Sequence, residues 1–293
     1  MMKKSITHCN KGDKMTSNFQ SNIISIYGQE GEKWLQTIPD IILKLTKEFG
    51  LTDIQTEMTN IQLSFNYIFF AKYSGIDAVI KTGPSIKDSM REMRTIRHFN
   101  GNGMVKLLAH NDDSIIMERA LPGSTLAKDN PNSIKIACDL MKKLHSLNPP
   151  SNPEDFTSLE ELLAPIDQIP IENFINPKLL EKARIYKKEL MPKYQERVLL
   201  HCDLHHDNIL KNGDNYIAID PKGVIGHPIN EAWNIVIDYE KDTQFIADYF
   251  GYNLSDLRKW YFIHLILAIC WGLEDNCNVD NFIQIAEKIF YKI

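Results

Sequence analysis

The sequence predicts an α+β protein of two lobes, a small β-rich one followed by a larger, mainly helical one, and three observations predict it. Size is the first: 293 residues, 43% of them hydrophobic, supply a sizeable core and on length suggest about two domains. Order is the second, because strand-like segments gather between positions 61 and 118 whereas helical periodicity dominates from Ser133 onward. The third is the Pro122-Gly123 break that closes the strand-rich part. The expected plan is a disordered or flexible tail over 1–22, a first lobe over 23–117, a hinge over 118–123 and a second lobe over 124–293.

Each element follows from its pattern. Residues 1–22 are polar and aperiodic, with Met15 a second possible start. Trp34, Leu35, Ile38, Ile42, Leu45 and Phe49 recur at helical spacing and Pro39 interrupts them, so a helix pair should open the first lobe. Ile61–Tyr73 and Asp77–Thr82, joined at Ser74-Gly75, read as an antiparallel hairpin. Met90, Met93, Ile96 and Phe99 mark a helix over Lys87–Phe99, stopped by Gly101 and Gly103. Strands are expected at Val105–Ala109 and Ile115–Glu118. The second lobe should hold helices at Ser133–Ser146, Leu159–Ile169, Pro177–Leu190, Leu254–Leu273 and Asn281–Tyr291.

Composition excludes several classes. A formal charge of −5 and a pI near 6.0 argue against a chain built to neutralise phosphates along nucleic acid. Cys9, Cys138, Cys202, Cys270 and Cys277 are scattered, with no C-x-x-C pair, so a reducing, cytoplasmic setting is expected. The basic start has no apolar run behind it and does not read as a secretory signal. Phe262–Trp271, the longest apolar stretch, is about half of a membrane span and reads as a buried helix.

Chemistry concentrates in VLLHCDLHHDNILKNGDNYIAIDPK, residues 198–222. Short strands at Val198–His201, Asn208–Lys211 and Tyr216–Ile219 would bring a carboxylate at each loop end toward one place. Phosphoryl transfer needs one carboxylate to orient the attacking hydroxyl, and a second carboxylate with an amide oxygen to hold Mg2+ on the phosphates. Asp203, Asn208 and Asp220 supply those groups. Their spacing, H-x-D-x-x-x-x-N with an Asp 12 residues after the Asn, is shared with kinase catalytic segments. In AVIKTG, Lys81 is the candidate for the nucleotide phosphates, and Glu92, 11 residues on, is the candidate to orient it. No G-x-G-x-x-G occurs; LSFNYIFFAKY stands in its place, with Ser64 and Asn66 as phosphate contacts.

GEKWLQTIPDI, SFNYI, AVIKTG, MERALPGSTL, HCDLHHDNIL and AIDPKGVIGHPINEAWN follow one another in an order that resembles the aminoglycoside phosphotransferases. Within them, the chain is most similar to the streptomycin 6-phosphotransferase and hydroxyurea phosphotransferase group. The resemblance runs from about residue 23 to the C-terminus and implies a protein-kinase-like two-lobed fold with ATP and Mg2+ between the lobes. It further implies that Asp203 is the catalytic base, Asn208 and Asp220 the metal ligands and Lys81 the phosphate-binding lysine. Glu118, Arg119 and Ala120 would be the hinge that meets adenine through its backbone. Cys202 departs from the family, which usually has glycine there.

Other readings compete. Asp203 and Asp220 are also ordinary turn residues, and His201, His205 and His206 superficially suit a zinc cluster. His201 is better placed to buttress its loop, and His205 to face substrate or phosphate. Lys222 sits near the metal position as a phosphate contact or a solvated lysine. Gly223–Ile293 carries ten acidic and five basic residues, so the whole formal charge lies there. Glu231, Asp238, Glu240, Glu274 and Asp275 are candidates to attract a cationic acceptor, and Trp233 and Trp271 read as core. The expected function is ATP- and Mg2+-dependent phosphorylation of a streptomycin-like aminoglycoside. A kinase for an endogenous metabolite and a nucleotide-binding protein without transferase activity are the alternatives. The absence of A-P-E after Asp220 disfavours a protein kinase.

Overall fold

The computed structural model describes residues 17–56, 63–169, 174–275 and 277–293; the expectations for residues 1–16, Cys9 and Met15 included, and for Ile61 and Gln62 lie outside the described residues. The chain divides into two compact units, the first ending at Gly123 and the second starting at Ser124.

The first unit opens with α1 (Ser17–Phe49), a helical run that folds back on itself at Gly28, where φ is 56° and ψ −134°. Phe19 and Trp34 would lie ~22 Å apart on a straight helix; their ring centroids are 6.3 Å apart. Gly31 permits the close approach, since a Cβ there would meet the Ile23 carbonyl oxygen at 2.7 Å. The expected helix pair therefore has its joint at Gly28, while Pro39 lies inside the helix with helical dihedrals. Glycine can take the required φ, whereas proline's fixed φ is itself helical. Residues 17–22, expected as tail, are helical because Phe19 and Ile23 are buried one turn apart, Phe19 beside Tyr67 as well as Trp34.

A five-stranded antiparallel sheet follows: β1 (Thr52–Gln55), β2 (Tyr67–Tyr73), β3 (Ile76–Thr82), β4 (Leu107–His110) and β5 (Ser114–Glu118), in the order β1-β2-β3-β5-β4. Positive φ at Ser74 and Gly75 gives the β2–β3 hairpin the tight turn its two-residue connection requires. Phe69, Ala71, Ala78, Ile80 and Ile116 pack with Leu45 and Leu51 to form the core on one face. Lys81 follows Ile80 and so faces the other way. On that side lies α2 (Ile86–Phe99), opened by Ser85, whose hydroxyl accepts from Asp88 N–H, and closed by left-handed Asn100.

The second unit, which the chain enters within β6, holds two small sheets and a helical majority. β6 (Pro122–Thr125), β9 (Ile209–Asn212) and β10 (Asn215–Ala218) form one sheet; β7 (Thr157–Ser158), β8 (Val198–Leu200) and β11 (Val224–Gly226) form the other. The helices are α3 (Ser133–Leu144), α4 (Leu159–Leu162), α5 (Pro165–Gln168), α6 (Pro177–Leu190), α7 (Tyr239–Phe250), α8 (Leu254–Glu274) and α9 (Asp280–Ile289). Every residue from Trp260 to Cys270 on α8 is buried, His264 within the apolar run included, with α5, α6, α7 and α9 packed around it. Among the described residues no helix is long and apolar enough to cross a membrane. The single helix expected over Leu159–Ile169 is two short ones, because Pro165 has no N–H to continue the first. The expectations did not include α7, β11 or the 3-10 segment Pro228–Ile235.

Candidate active site

Buried β8 delivers the chain to a loop over His201–Asn208 that turns sharply at once: Cys202 has a φ of 64°, a left-handed conformation that a Cβ disfavours. Successive N–H groups hold the turn. Cys202 N–H donates to both oxygens of the Glu231 carboxylate, at 2.9 and 3.1 Å, and Asp203 N–H donates to His201 Nδ1 at 3.2 Å. Asn208 closes the loop by donating its amide Nδ2 to the Asp203 carbonyl oxygen at 2.9 Å.

The same loop is stitched to the segment carrying Asp220. His201 Nε2 donates to the Ile219 carbonyl at 2.7 Å, Ile219 N–H donates to the Asn208 carbonyl at 3.0 Å, and Lys222 N–H to the His201 carbonyl at 2.7 Å. Asp220 is itself left-handed, with a φ of 59°. Each carboxylate is thus aimed by an unusual backbone residue, a pattern that persists where surrounding structure over-determines it. Both ring nitrogens of His201 are used within this framework, which leaves none for zinc, and burial keeps the ring's pKa below the ordinary histidine value. His205 Nδ1 accepts from Asp207 N–H at 3.2 Å, and its Nε2 lies 3.8 Å from Asp203 Oδ1.

Burial pushes the Asp203 carboxyl up to about 6; Lys222 and His201 pull against that and neighbouring Asp220 adds to it. The Lys222 ammonium is 3.5 Å from Asp203 Oδ2, so it faces the candidate base directly. Asp203, Asn208 and Asp220 offer oxygen donors suited to Mg2+, a hard cation that keeps several waters and completes its shell with phosphate oxygens. Asn208 fits the part: its Nδ2 is committed to Asp203, which leaves Oδ1 as the end of the amide available to a cation. No group of three or more His, Cys, Asp or Glu among the described residues forms a complete metal cage. A cation held jointly by protein and nucleotide needs none.

In the first unit the Lys81 ammonium lies 2.8 Å from both carboxylate oxygens of Glu92, with the side chains 7% and 13% exposed. A 14-residue helix, capped at both ends, sets Glu92 opposite a mid-strand lysine. Ser64 and Asn66 lie on the loop before β2; the Ser64 carbonyl accepts from Asn22 Nδ2 at 3.2 Å, and a Cβ at Gly83 would meet Asn66 Oδ1 at 2.2 Å. Glu118 N–H is taken by the Lys106 carbonyl at 3.0 Å, and Arg119 N–H by that of Asp77 at 2.9 Å. The Arg119 guanidinium covers the Phe70 ring at 3.7 Å. Ala120 N–H has no partner among the described residues, which leaves it as the free backbone donor of the three.

The acidic candidates separate. Glu231 has no exposed surface and spends its carboxylate on Cys202 N–H, with His145 Nε2 at 3.6 Å, so it is not a cleft-lining anion. Asp238 caps α7 by accepting from Glu240 and Lys241 N–H at 3.1 Å each. Glu240 is paired with Arg258 and Lys292, each at 2.7 Å. Glu274 and Asp275 lie exposed at the end of α8, away in sequence from the loop of Asp203. Negative charge in a sequence does not tell a capping or buried carboxylate from one offered to a ligand. Trp233, expected in the core, is half-buried and stacks on buried His264, centroids 5.4 Å apart.

The family model for aminoglycoside/hydroxyurea antibiotic resistance kinases matches residues 62–249. Relatives include a streptomycin 6-kinase of Streptomyces griseus, 24% identical over 70% of this chain and 69% of that one. A streptomycin 3''-kinase of Klebsiella pneumoniae is 28% identical over 72% of this chain and 85% of its own. Among solved structures, the choline kinase LicA of Streptococcus pneumoniae superposes with a TM-score of 0.61 at 12% identity, covering 88% of this chain and all of that one. A thermostable variant of aminoglycoside phosphotransferase APH(4)-Ia, in complex with ADP and hygromycin B, superposes with a TM-score of 0.59 at 14% identity over 84% and 95%. These likenesses establish the kinase-like α+β fold. With its matched region taking in Lys81, Glu92, Asp203, Asn208 and Asp220, the chain belongs to the aminoglycoside/hydroxyurea antibiotic resistance kinase family.

Proposed function

We propose that the protein transfers the γ-phosphoryl group of ATP, with Mg2+, to a hydroxyl of a small cationic acceptor, most simply a streptomycin-like aminoglycoside, and so inactivates it. The observation that carries the reading is the stitched pair of loops, in which one set of backbone bonds fixes Asp203, Asn208 and the approach to Asp220 together. Asp203 is the base that orients the acceptor hydroxyl and takes its proton. Asn208 and Asp220 would hold Mg2+, which supplies charge neutralisation on the phosphates when bound. Lys81, held straight by Glu92, binds the nucleotide phosphates, and Lys222 adds a second positive charge beside Asp203. Ala120 N–H is the backbone donor for the adenine edge.

The streptomycin-type acceptor is supported by the names of two relatives, which phosphorylate streptomycin at different positions. The test is Mg2+-dependent ADP release by purified protein against streptomycin, other aminoglycosides, hydroxyurea and no acceptor, with product mass measured. Streptomycin-dependent release and a product heavier by one phosphoryl group are expected. Release that no antibiotic stimulates, in a protein that binds ATP, would turn the reading toward an endogenous metabolite.

A further inference from the structure

We propose that the helical arm Phe19–Tyr27 braces the nucleotide-phosphate site, with Asn22 a positioning residue that holds the loop of Ser64 and Asn66 while Tyr27 holds the start of α2. The inference rests on the phosphoryl-transfer reading above and deepens it for the same site. Phosphate-covering loops are commonly glycine-rich, which lets their backbone N–H groups come close to the nucleotide. No such glycines precede β2, so the side chains of Ser64 and Asn66 have to be aimed from outside the loop. Asn66 enters β2 opposite the end of β3: Tyr67 pairs with Thr82, and a Cβ at Gly83 would meet Asn66 Oδ1 at 2.2 Å. Lys81 stands two residues before Gly83 on that strand. The loop's tether to the arm is Asn22, whose Nδ2 donates to the Ser64 carbonyl at 3.2 Å.

The arm is itself firmly held. Gly28 turns it back, Gly31 lets it close in, and Ile23 is fully buried where it does so. The rest of α1 is seated on the sheet through buried Leu45, with Ile41, Ile42 and Phe49 packed beside it. Phe19, Asn22, Ile23 and Tyr27 recur at the spacing of one helical face, whereas Gln20, Ser21, Ile24 and Ser25 are exposed. That face reaches both parts of the phosphate site in this unit. Phe19 packs on Tyr67 at the entry to β2, ring centroids 6.2 Å apart, next to the Asn22 tether. The Tyr27 hydroxyl is hydrogen-bonded to Ser85, the cap of α2, and burial together with the Asp88 charge keeps its pKa above the ordinary tyrosine value. Because α2 carries Glu92, which pairs with Lys81, one arm steadies the loop and the partner of the phosphate-binding lysine together.

The test is calorimetric binding of AMP-PNP with Mg2+, and of adenosine, to the full chain, alongside kcat, KM for ATP and for streptomycin, and amide hydrogen exchange. Asn22→Ala should weaken AMP-PNP binding and raise KM for ATP about 3- to 10-fold, the effect of one hydrogen bond. It should speed exchange over residues 63–69 and leave adenosine affinity and KM for streptomycin within about twofold, since the loop meets phosphates alone. Asn22→Asp, which loses the donor at nearly the same shape, should behave alike. In an Asn66→Ala background, Asn22→Ala should cost less than about twofold in AMP-PNP affinity, because it acts through the loop. Unchanged AMP-PNP affinity in both Asn22 variants, or an equal loss of adenosine affinity, would overturn the brace. Should the Asn22 variants fail to fold, Tyr27→Phe decides: faster exchange over residues 85–92 with a raised KM for ATP supports the brace, and wild-type values refute it. A wild type that binds no AMP-PNP overturns the functional reading and the brace together. One that binds it and phosphorylates nothing overturns the acceptor assignment alone, and the binding comparison still decides the brace.

Discussion

Replacing Glu92 with glutamine removes the negative charge beside Lys81 while keeping an oxygen and nearly the same shape. The two groups stand 2.8 Å apart at 7% and 13% exposure. At an effective dielectric of about 20 their gross attraction is roughly 6 kcal/mol, most of it offset by desolvation of the two ions. What remains for function is about the value of a charge-assisted hydrogen bond, ~1.5–3 kcal/mol, or roughly 10- to 150-fold. Glu92→Gln should therefore lower kcat/KM for ATP by one to two orders of magnitude. Removing the Glu92 charge from beside a buried ammonium should also cost ~2 kcal/mol of stability, a fall in Tm of roughly 4–8 °C. Steady-state kinetics with varied ATP, on Glu92→Gln, Lys81→Met and the double variant, measure the coupling. The double variant should be no worse than Lys81→Met alone, because Glu92 works through Lys81. A value of kcat/KM for ATP within twofold of wild type in Glu92→Gln, or losses that multiply, would refute the reasoning.

Four further outcomes are expected. Since burial raises Asp203 to about 6 and a bound cation lowers it, kcat/KM should fall as pH drops through an apparent pKa between about 4 and 6; a flat profile to pH 4 contradicts this. The folded carboxyl holds its proton more tightly than the unfolded one, so in metal-free protein Asp203 costs stability above its folded pKa and ceases to as pH falls toward 4. Asp203→Asn should then raise Tm at pH 8 and lose that advantage near pH 4. Asn208→Ala should raise the Mg2+ concentration for half-maximal rate at least about tenfold, since both its bond to Asp203 and the amide oxygen proposed for the cation are lost; an unchanged Mg2+ titration counts against it as a ligand. Gly83→Ala places a Cβ 2.2 Å from Asn66 Oδ1, so it should displace Asn66 and raise KM for ATP severalfold with little change in Tm, whereas unchanged KM would remove Asn66 from the nucleotide site.

Much of the site was legible because its chemistry is local in sequence. The interval from His201 to Asp220 is short, and strand periodicity on either side of each carboxylate announced loop ends. Lys81 and Glu92 were legible for a different reason: a strand followed at once by an amphipathic helix has few ways to pack, and one helical face carries Met93, Ile96 and Phe99 to the sheet. Glu231 was not legible, since whether a carboxylate faces solvent or a backbone N–H 29 residues away depends on tertiary packing. Asp238 and Glu240 are exposed, and the helix cap and two ion pairs they also make are tertiary facts that a count of charge does not reveal. In α1, proline carried more weight in the sequence than glycine, although the fold-back at Gly28 needs a φ that only glycine takes at little cost. The signal for α7 is Asp238 followed by a mixed apolar and polar run, a cap and the helix it opens, which the same acids as candidate ligands obscure.

The most direct measurement follows the phosphoryl group itself. Wild-type protein and Asp203→Asn are each incubated with γ-labelled ATP, Mg2+ and streptomycin, and the label is counted in the recovered antibiotic and located by NMR. Label on one hydroxyl of streptomycin with wild type, and at least about a hundredfold less with Asp203→Asn, is the predicted result. Equal labelling by the two proteins, or label found in inorganic phosphate alone, would contradict the assignment of Asp203 as the base of an antibiotic kinase.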